Sequence, residues 1–262
     1  MAEIKYVALG DSFTEGVGDD LPGGAYPGDR VRGWADLVAE GLARSSTDPV
    51  YYANFAIRGR LLGPIIAEQL PPALALAPTI VTFNGGGNDI LRPKANLAHL
   101  VAQVADVVHQ VKQTGSQLVL LSGGNPTKGL PLRGAIEKKG DALNDAVRAL
   151  AAKNALPFAD NWTDHELAGS QYWALDRLHL NEIGHHRVAA RVLAAMGVEA
   201  PSDWVTRAPA PRAKPGAREN AKYYREHVMP WVQRRLTGRS SGDGRVAKYH
   251  EWTLISPTPP QE

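Results

Sequence analysis

Short apolar or β-branched runs alternate with helix-period segments along the first 200 residues, and that alternation leaves few architectures open. Ile4 to Leu9 reads as a strand ending at Gly10-Asp11-Ser12. Trp34 to Arg44 reads as a helix, Tyr51 to Ala56 as a second strand, and Leu61 to Leu70 as a helix stopped by Pro71-Pro72. Thr79 to Phe83 is a third strand running into Asn84-Gly85-Gly86-Gly87. The clearest helix follows: Leu97, Leu100, Val101, Val104, Val107, Val108 and Val111 recur at three- and four-residue spacing, with Gly115 as a stop. Leu118 to Leu121 is strand four, Ala142 to Ala152 a helix, Leu156 to Ala159 a short strand five, and Ile183 to Met196 a closing helix. Such a pattern predicts a mostly parallel five-stranded sheet covered on both faces. Parallel sheets of this kind bind ligands at the carboxyl ends of their strands.

Composition narrows the class. The chain has 262 residues, 44% hydrophobic and 21% charged, enough for one α/β domain and an appendage. No apolar run approaches the ~20 residues that would span a bilayer. Met1-Ala2-Glu3-Ile4-Lys5-Tyr6 lacks a basic segment followed by an apolar one, so a cleaved secretion signal is not expected. There are no cysteines, which excludes disulfides, thiolate metal sites and a cysteine nucleophile. A cytoplasmic location is the expectation.

Charge is uneven. From Arg207 onward there are 11 Lys and Arg against 5 Asp and Glu, leaving 18 and 22 for the rest of the chain. A mildly acidic body with a basic tail does not look like a nucleic-acid-binding domain. The expected organisation is a catalytic domain over 1–200, a Pro/Ala-rich linker over 201–216, and a basic helical extension with a flexible tail over 217–262. Glu219 to Val228 reads as helical, with Pro230 breaking it before Trp231, Val232 and Leu236. The extension is expected to pack back across the domain; docking to an anionic membrane is the lesser alternative.

Three motifs carry chemistry. Ser12 follows a Gly-Asp turn at a strand end, where a side chain is thrust outward, although a serine there is also what a helix cap looks like. In Asp176-Arg177-Leu178-His179 the carboxylate is close enough to accept from Nδ1 and leave Nε2 facing outward. Asn181 is expected to cap the closing helix. Asn88, in Gly86-Gly87-Asn88-Asp89, holds an amide able to donate to an oxyanion. Gly59 offers a backbone N–H with no side chain in the way. The strand register places the residues after strands one, two and three on one sheet edge. His185, His186, His99 and His109 lack metal-ligand spacing and are expected to pack or be solvated, and Asp11 and Asp160 to serve structure.

These segments resemble the blocks of the SGNH (GDSL-like) hydrolase superfamily, in that family's order, over residues 4 to about 197. The resemblance implies a three-layer α/β/α, flavodoxin-like fold and a Ser12–Asp176–His179 triad. It also implies an oxyanion hole from the backbone N–H groups of Ser12 and Gly59 and the Asn88 side chain, with no cofactor and no metal. The first block has Phe13 where the family has Leu, and the Gly59 block is the loosest match. The implied activity is that of a serine esterase or lipase-type hydrolase working on a small acyl ester through an acyl-enzyme on Ser12. Two alternatives remain. One is a metal-dependent phosphoesterase, which would want an Asp-x-His and a Gly-Asn-His that the chain lacks; the other is a non-catalytic ligand-binding member of the fold. No acyl-chain groove is evident in the sequence of the rims, Asp19 to Gly33 and Gly123-Gly124-Asn125-Pro126, so short acyl esters are the expected substrates.

Overall fold

The computed structural model describes residues 3–23, 30–127, 133–204, 210–212, 216–229 and 240–256. Five parallel strands, β1 (Ile4–Leu9), β2 (Val50–Asn54), β3 (Ile80–Phe83), β4 (Gln117–Leu121) and β5 (Phe158–Ala159), form the body of the sheet. Their helices are α1 (Ser12–Glu15), α2 (Trp34–Ser45), α3 (Leu62–Pro64), α4 (Leu70–Ala75), α5 (Gly87–Ile90), α6 (Leu97–Gln113), α7 (Arg133–Lys153), α8 (Glu182–Ala195) and α9 (Ala217–Tyr223).

Alternation within β1 shows why there are three layers. Tyr6 and Ala8 point into a core shared with α2 and α8, where Trp34, Leu37, Val188 and Leu193 are buried. Val7 and Leu9 point the other way, against Val104, Val108 and Val111 of α6. A strand apolar on both faces is stable only with helices on each side, and the family-like α/β/α sandwich follows.

The expectation of five strands is corrected to six. The sheet order is β5-β4-β3-β1-β2-β6, and β6 (Tyr249–Ile255) runs antiparallel to β2, with Val50 opposite Ile255 and Tyr52 opposite Thr253. The extension expected to be helical therefore ends in a strand. Its register is set by β2, some 200 residues upstream, and much of it faces solvent, so no apolar run announces it. An open edge on β2 would present unpaired backbone groups, and β6 covers them.

Pro71-Pro72 does not stop the third helical segment either. A π-turn over Ile65–Gln69 widens the helix just ahead of the rings, so Pro71 falls in the first turn of α4, where a missing N–H is tolerated. Helix α7 begins nine residues before the expected start, through the charged Arg133–Asp141. Most of the expected linker, the segment around Trp231, Val232 and Leu236, and the tip of the Asp19–Gly33 rim lie outside the described residues. Among the described residues no helix is long and apolar enough to cross a membrane.

Chain direction reverses between β1 and β3: β2 lies to one side of β1, while β3, β4 and β5 follow on the other. That switch point opens a crevice at the carboxyl ends of the two strands. Ser12 stands directly after β1, and Asn88 after β3.

Candidate active site

Ser12 is delivered by a tight exit from β1. A Cβ on Gly10 would sit 2.2 Å from the Thr14 hydroxyl and 3.1 Å from the Asn84 carbonyl, so only glycine lets the chain turn there. Gln69 clamps this residue from the π-turn: its Oε1 accepts the Gly10 N–H at 2.9 Å and its Nε2 donates to the Gly10 carbonyl at 2.9 Å. Asp11 caps α1, accepting the Phe13 N–H at 3.1 Å. Burial raises the Asp11 carboxyl to about 6, with Asp89 and Glu15 adding to the rise and the Phe13 N–H and His179 opposing it.

The base arrives from the opposite end of the sequence. Asp176 Oδ1 accepts the N–H groups of Leu178 and His179, both at 3.0 Å, which folds the segment into a turn. Arg177 closes that turn in the left-handed region, at φ +56°. Asp176 Oδ2 lies 2.6 Å from His179 Nδ1, and His179 Nε2 lies 3.0 Å from Ser12 Oγ. With the carboxylate accepting Nδ1–H, Nε2 is left to accept the Ser12 hydroxyl proton. Burial works against the Asp176 charge, but the imidazole and the two backbone N–H groups outweigh it and hold the carboxyl at about 2. Asn181 caps α8 as expected, accepting the Gly184 N–H at 3.0 Å, while its amide donates to the Gln171 carbonyl at 2.7 Å.

Ser12, Gly59, Asn88, Asp176 and His179 all line one cavity of about 1350 Å³. Asn88 Nδ2 donates to Asp11 Oδ2 at 3.0 Å and to the Arg60 carbonyl at 3.0 Å, so its amide is turned toward the nucleophile loop and occupied there. Gly59 adopts φ +75°, and a Cβ on it would meet the Ser240 hydroxyl at 2.3 Å. A side chain at position 59 is thus excluded twice, by conformation and by space.

Several contacts at the site have no signature in the sequence. Glu15 takes the Arg58 backbone N–H at 2.6 Å and the guanidinium at 2.6 and 2.9 Å, with both side chains nearly buried at 10% and 11% exposure. Lys248 Nζ donates to the carbonyls of Glu15 and Arg32 at 2.6 and 2.7 Å and to Asp36 at 2.5 Å. Tyr223, Ser240 and Ser241 from the C-terminal extension join the cavity wall. His185 is fully buried, its Nδ1 accepting the Trp34 N–H at 3.1 Å and its Nε2 bonded to the Val17 carbonyl at 3.3 Å. Asp160 serves Arg148, Thr163 and Asn144 rather than the cavity. Among the described residues no three His, Asp or Glu side chains assemble as a metal-ligand set.

Solved structures resemble this one in fold. TesA is 22% identical with a TM-score of 0.59, over 74% of this chain and 98% of its own. Axe2, an acetylxylan esterase from Geobacillus stearothermophilus, is 21% identical with a TM-score of 0.56, over 78% of this chain and 96% of its own. A putative GDSL-like lipase from Parabacteroides merdae is 18% identical with a TM-score of 0.59, over 74% and 95%. No curated protein matches the chain in sequence. The model of the GDSL-like lipase/acylhydrolase family matches residues 8–187, which takes in Ser12, Asn88 and His179 together with the five parallel strands. On that match, the chain belongs to the GDSL-like lipase/acylhydrolase family and is an ester-hydrolysing enzyme.

Proposed function

We propose that the enzyme cleaves carboxylic esters by double displacement, with Ser12 as nucleophile. The observation that carries this reading is the unbroken relay Asp176–His179–Ser12, at 2.6 and 3.0 Å, opening into the cavity. In the first half-reaction Ser12 Oγ bonds to the acyl carbon as its proton passes to His179 Nε2. The same proton then goes to the leaving alkoxide as the ester C–O bond breaks. In the second, His179 takes a proton from water, the hydroxide attacks the acyl-enzyme, and Ser12 recovers its proton with release of the acid. Asp176 stays ionised throughout, which its low carboxyl pKa supports. The N–H groups of Ser12 and Gly59 and the Asn88 amide receive the oxyanion; for Asn88 this means exchanging the Arg60 carbonyl for the substrate oxygen.

The cavity also bears on the acyl group. Its most buried lining is Phe83, Ile90, Leu120 and Leu143, and such a volume far exceeds what an acetyl group fills. An acyl chain of medium length is the better fit, and the ground for expecting short ones, the lack of a visible groove, is gone.

A fluorophosphonate probe should label wild type and leave Ser12→Ala unlabelled, and that variant should lose turnover on the order of 10⁴-fold or more. Across a nitrophenyl ester series, kcat/KM should climb from acetate to about octanoate as each CH₂ adds up to ~0.8 kcal/mol of burial. Labelling that survives in Ser12→Ala would overturn the nucleophile; a maximum at acetate would overturn the acyl assignment.

A further inference from the structure

The C-terminal extension is fixed to the catalytic body at three places around the cavity. Strand β6 pairs with β2, and Lys248 binds carbonyls of the nucleophile segment. The turn at Ser240–Gly242 seats on Arg58-Gly59: a Cβ on Gly242 would lie 2.1 Å from the Arg58 carbonyl. Helix α9 lies beside the acid–base turn. There the Arg177 guanidinium stacks 4.1 Å over the ring of Tyr223, and its Nη1 donates to Asn220 Oδ1 at 3.0 Å.

Arg177 is informative because its backbone is costly. A left-handed conformation disfavours any residue with a Cβ by roughly 1–2 kcal/mol, and Gly or Asn would relieve it. Arginine brings to this position the tether to α9. The tether leaves Tyr223 only 6% exposed and facing the cavity.

Position then assigns a role. His179 Nε2 must hand its proton to the leaving oxygen, so the alcohol portion of the ester lies over His179. Tyr223 flanks that same turn, whereas the buried apolar lining of Leu120 and Leu143 recedes toward β4 and α7. The family match ends at residue 187, so this wall lies outside it.

We propose that Tyr223, held by Arg177, is a specificity-determining residue that limits the bulk of the ester's alcohol portion and selects small, linear alcohols over aromatic ones. This rests on the Ser12 acyl-enzyme reading above. The experiment holds the acyl group constant and compares ethyl butyrate with 1-naphthyl butyrate. In acyl-enzyme kinetics kcat/KM reports the step in which the alcohol leaves, so the ratio between the two esters isolates the leaving-group side. Tyr223→Ala should raise the naphthyl-to-ethyl ratio of kcat/KM about tenfold or more, and Tyr223→Phe, which keeps the ring, should not. Tyr223→Leu serves if the alanine variant fails to fold. Binding of 1-naphthol, measured by titration calorimetry, should tighten by a similar factor in the variants that lose the ring and needs no turnover. A ratio and a naphthol affinity both within about twofold of wild type would overturn the proposal. If the fluorophosphonate still labels Ser12 in that case, the acyl-enzyme stands and only the wall falls. If Ser12 never labels, the acyl-enzyme reading fails, and naphthol affinity alone decides on Tyr223.

Discussion

Ser12 and His179 meet at 3.0 Å, yet different kinds of structure hold them there. The nucleophile turn is anchored by partners far away in sequence: Gln69 on Gly10, Arg58 on Glu15, and Lys248 on the Glu15 carbonyl. The acid–base turn is almost self-contained, with Asp176 binding residues two and three positions ahead and Asn181 capping the next helix three positions on. One half of the machinery is thus a product of the whole fold and the other a local turn fixed to a helix. Damage to long-range packing should therefore reach the serine before it reaches the histidine.

The strongest way to break that contrast is to remove the long-range anchor. Glu15→Ala takes the carboxylate away from a guanidinium that is 11% exposed and from the Arg58 N–H. Loss of one partner of a nearly buried pair costs about 3–5 kcal/mol, read as a lower urea midpoint. A loss under about 1 kcal/mol would show that the nucleophile side is not held from a distance.

His185 sharpens the comparison, since it joins the two halves through Trp34 and Val17. Burial depresses its imidazole to about 4. Between pH 6.5 and 4 the unfolded chain takes a proton that the folded one refuses. Stability from this site is therefore full above pH 6.5 and is lost as pH falls toward 4, by roughly 3 kcal/mol in all. Asp11 and Asp36, raised by burial to about 6, act in the opposite sense, adding stability as pH falls from 6 to below 4. The clean readout is therefore a difference: the stability gap between wild type and His185→Asn should shrink by roughly 3 kcal/mol from pH 7 to pH 4. A gap that does not change with pH would mean that the imidazole titrates as though exposed.

The smallest effect belongs to the local half. Asn181→Ala removes a cap and should cost about 1–2 kcal/mol, lowering Tm by a few degrees while fluorophosphonate labelling of Ser12 persists. If labelling disappears while the protein stays folded, the acid–base turn depends on its helix more than its own hydrogen bonds indicate.

The same division explains how much the sequence revealed. Asp176 and His179 were legible because three residues of spacing already fix their contact, and the parallel strands because burial on both faces leaves apolar runs. Helix α6 shows its stripe plainly, whereas the first turns of α7 carry Glu137, Lys138 and Lys139 and give no period to read. Gly140 there looks like a helix breaker, but a Cβ would lie 2.0 Å from the Trp162 ring, so the glycine answers to packing. The Glu15–Arg58 pair, the Lys248 contacts and the β2–β6 register connect positions whose own neighbourhoods carry no mark of the partner.

Placing the sheet's outermost strand at residues 249–255 has a consequence for biosynthesis. Strand β2 is complete by residue 54. At translation speeds of about 5–20 residues per second, it must wait roughly 10–40 s for its outer neighbour. Throughout that interval a nascent polypeptide carries a bare row of amides and carbonyls beside a nearly finished body, and it is then that ribosome-associated chaperones have most to shield.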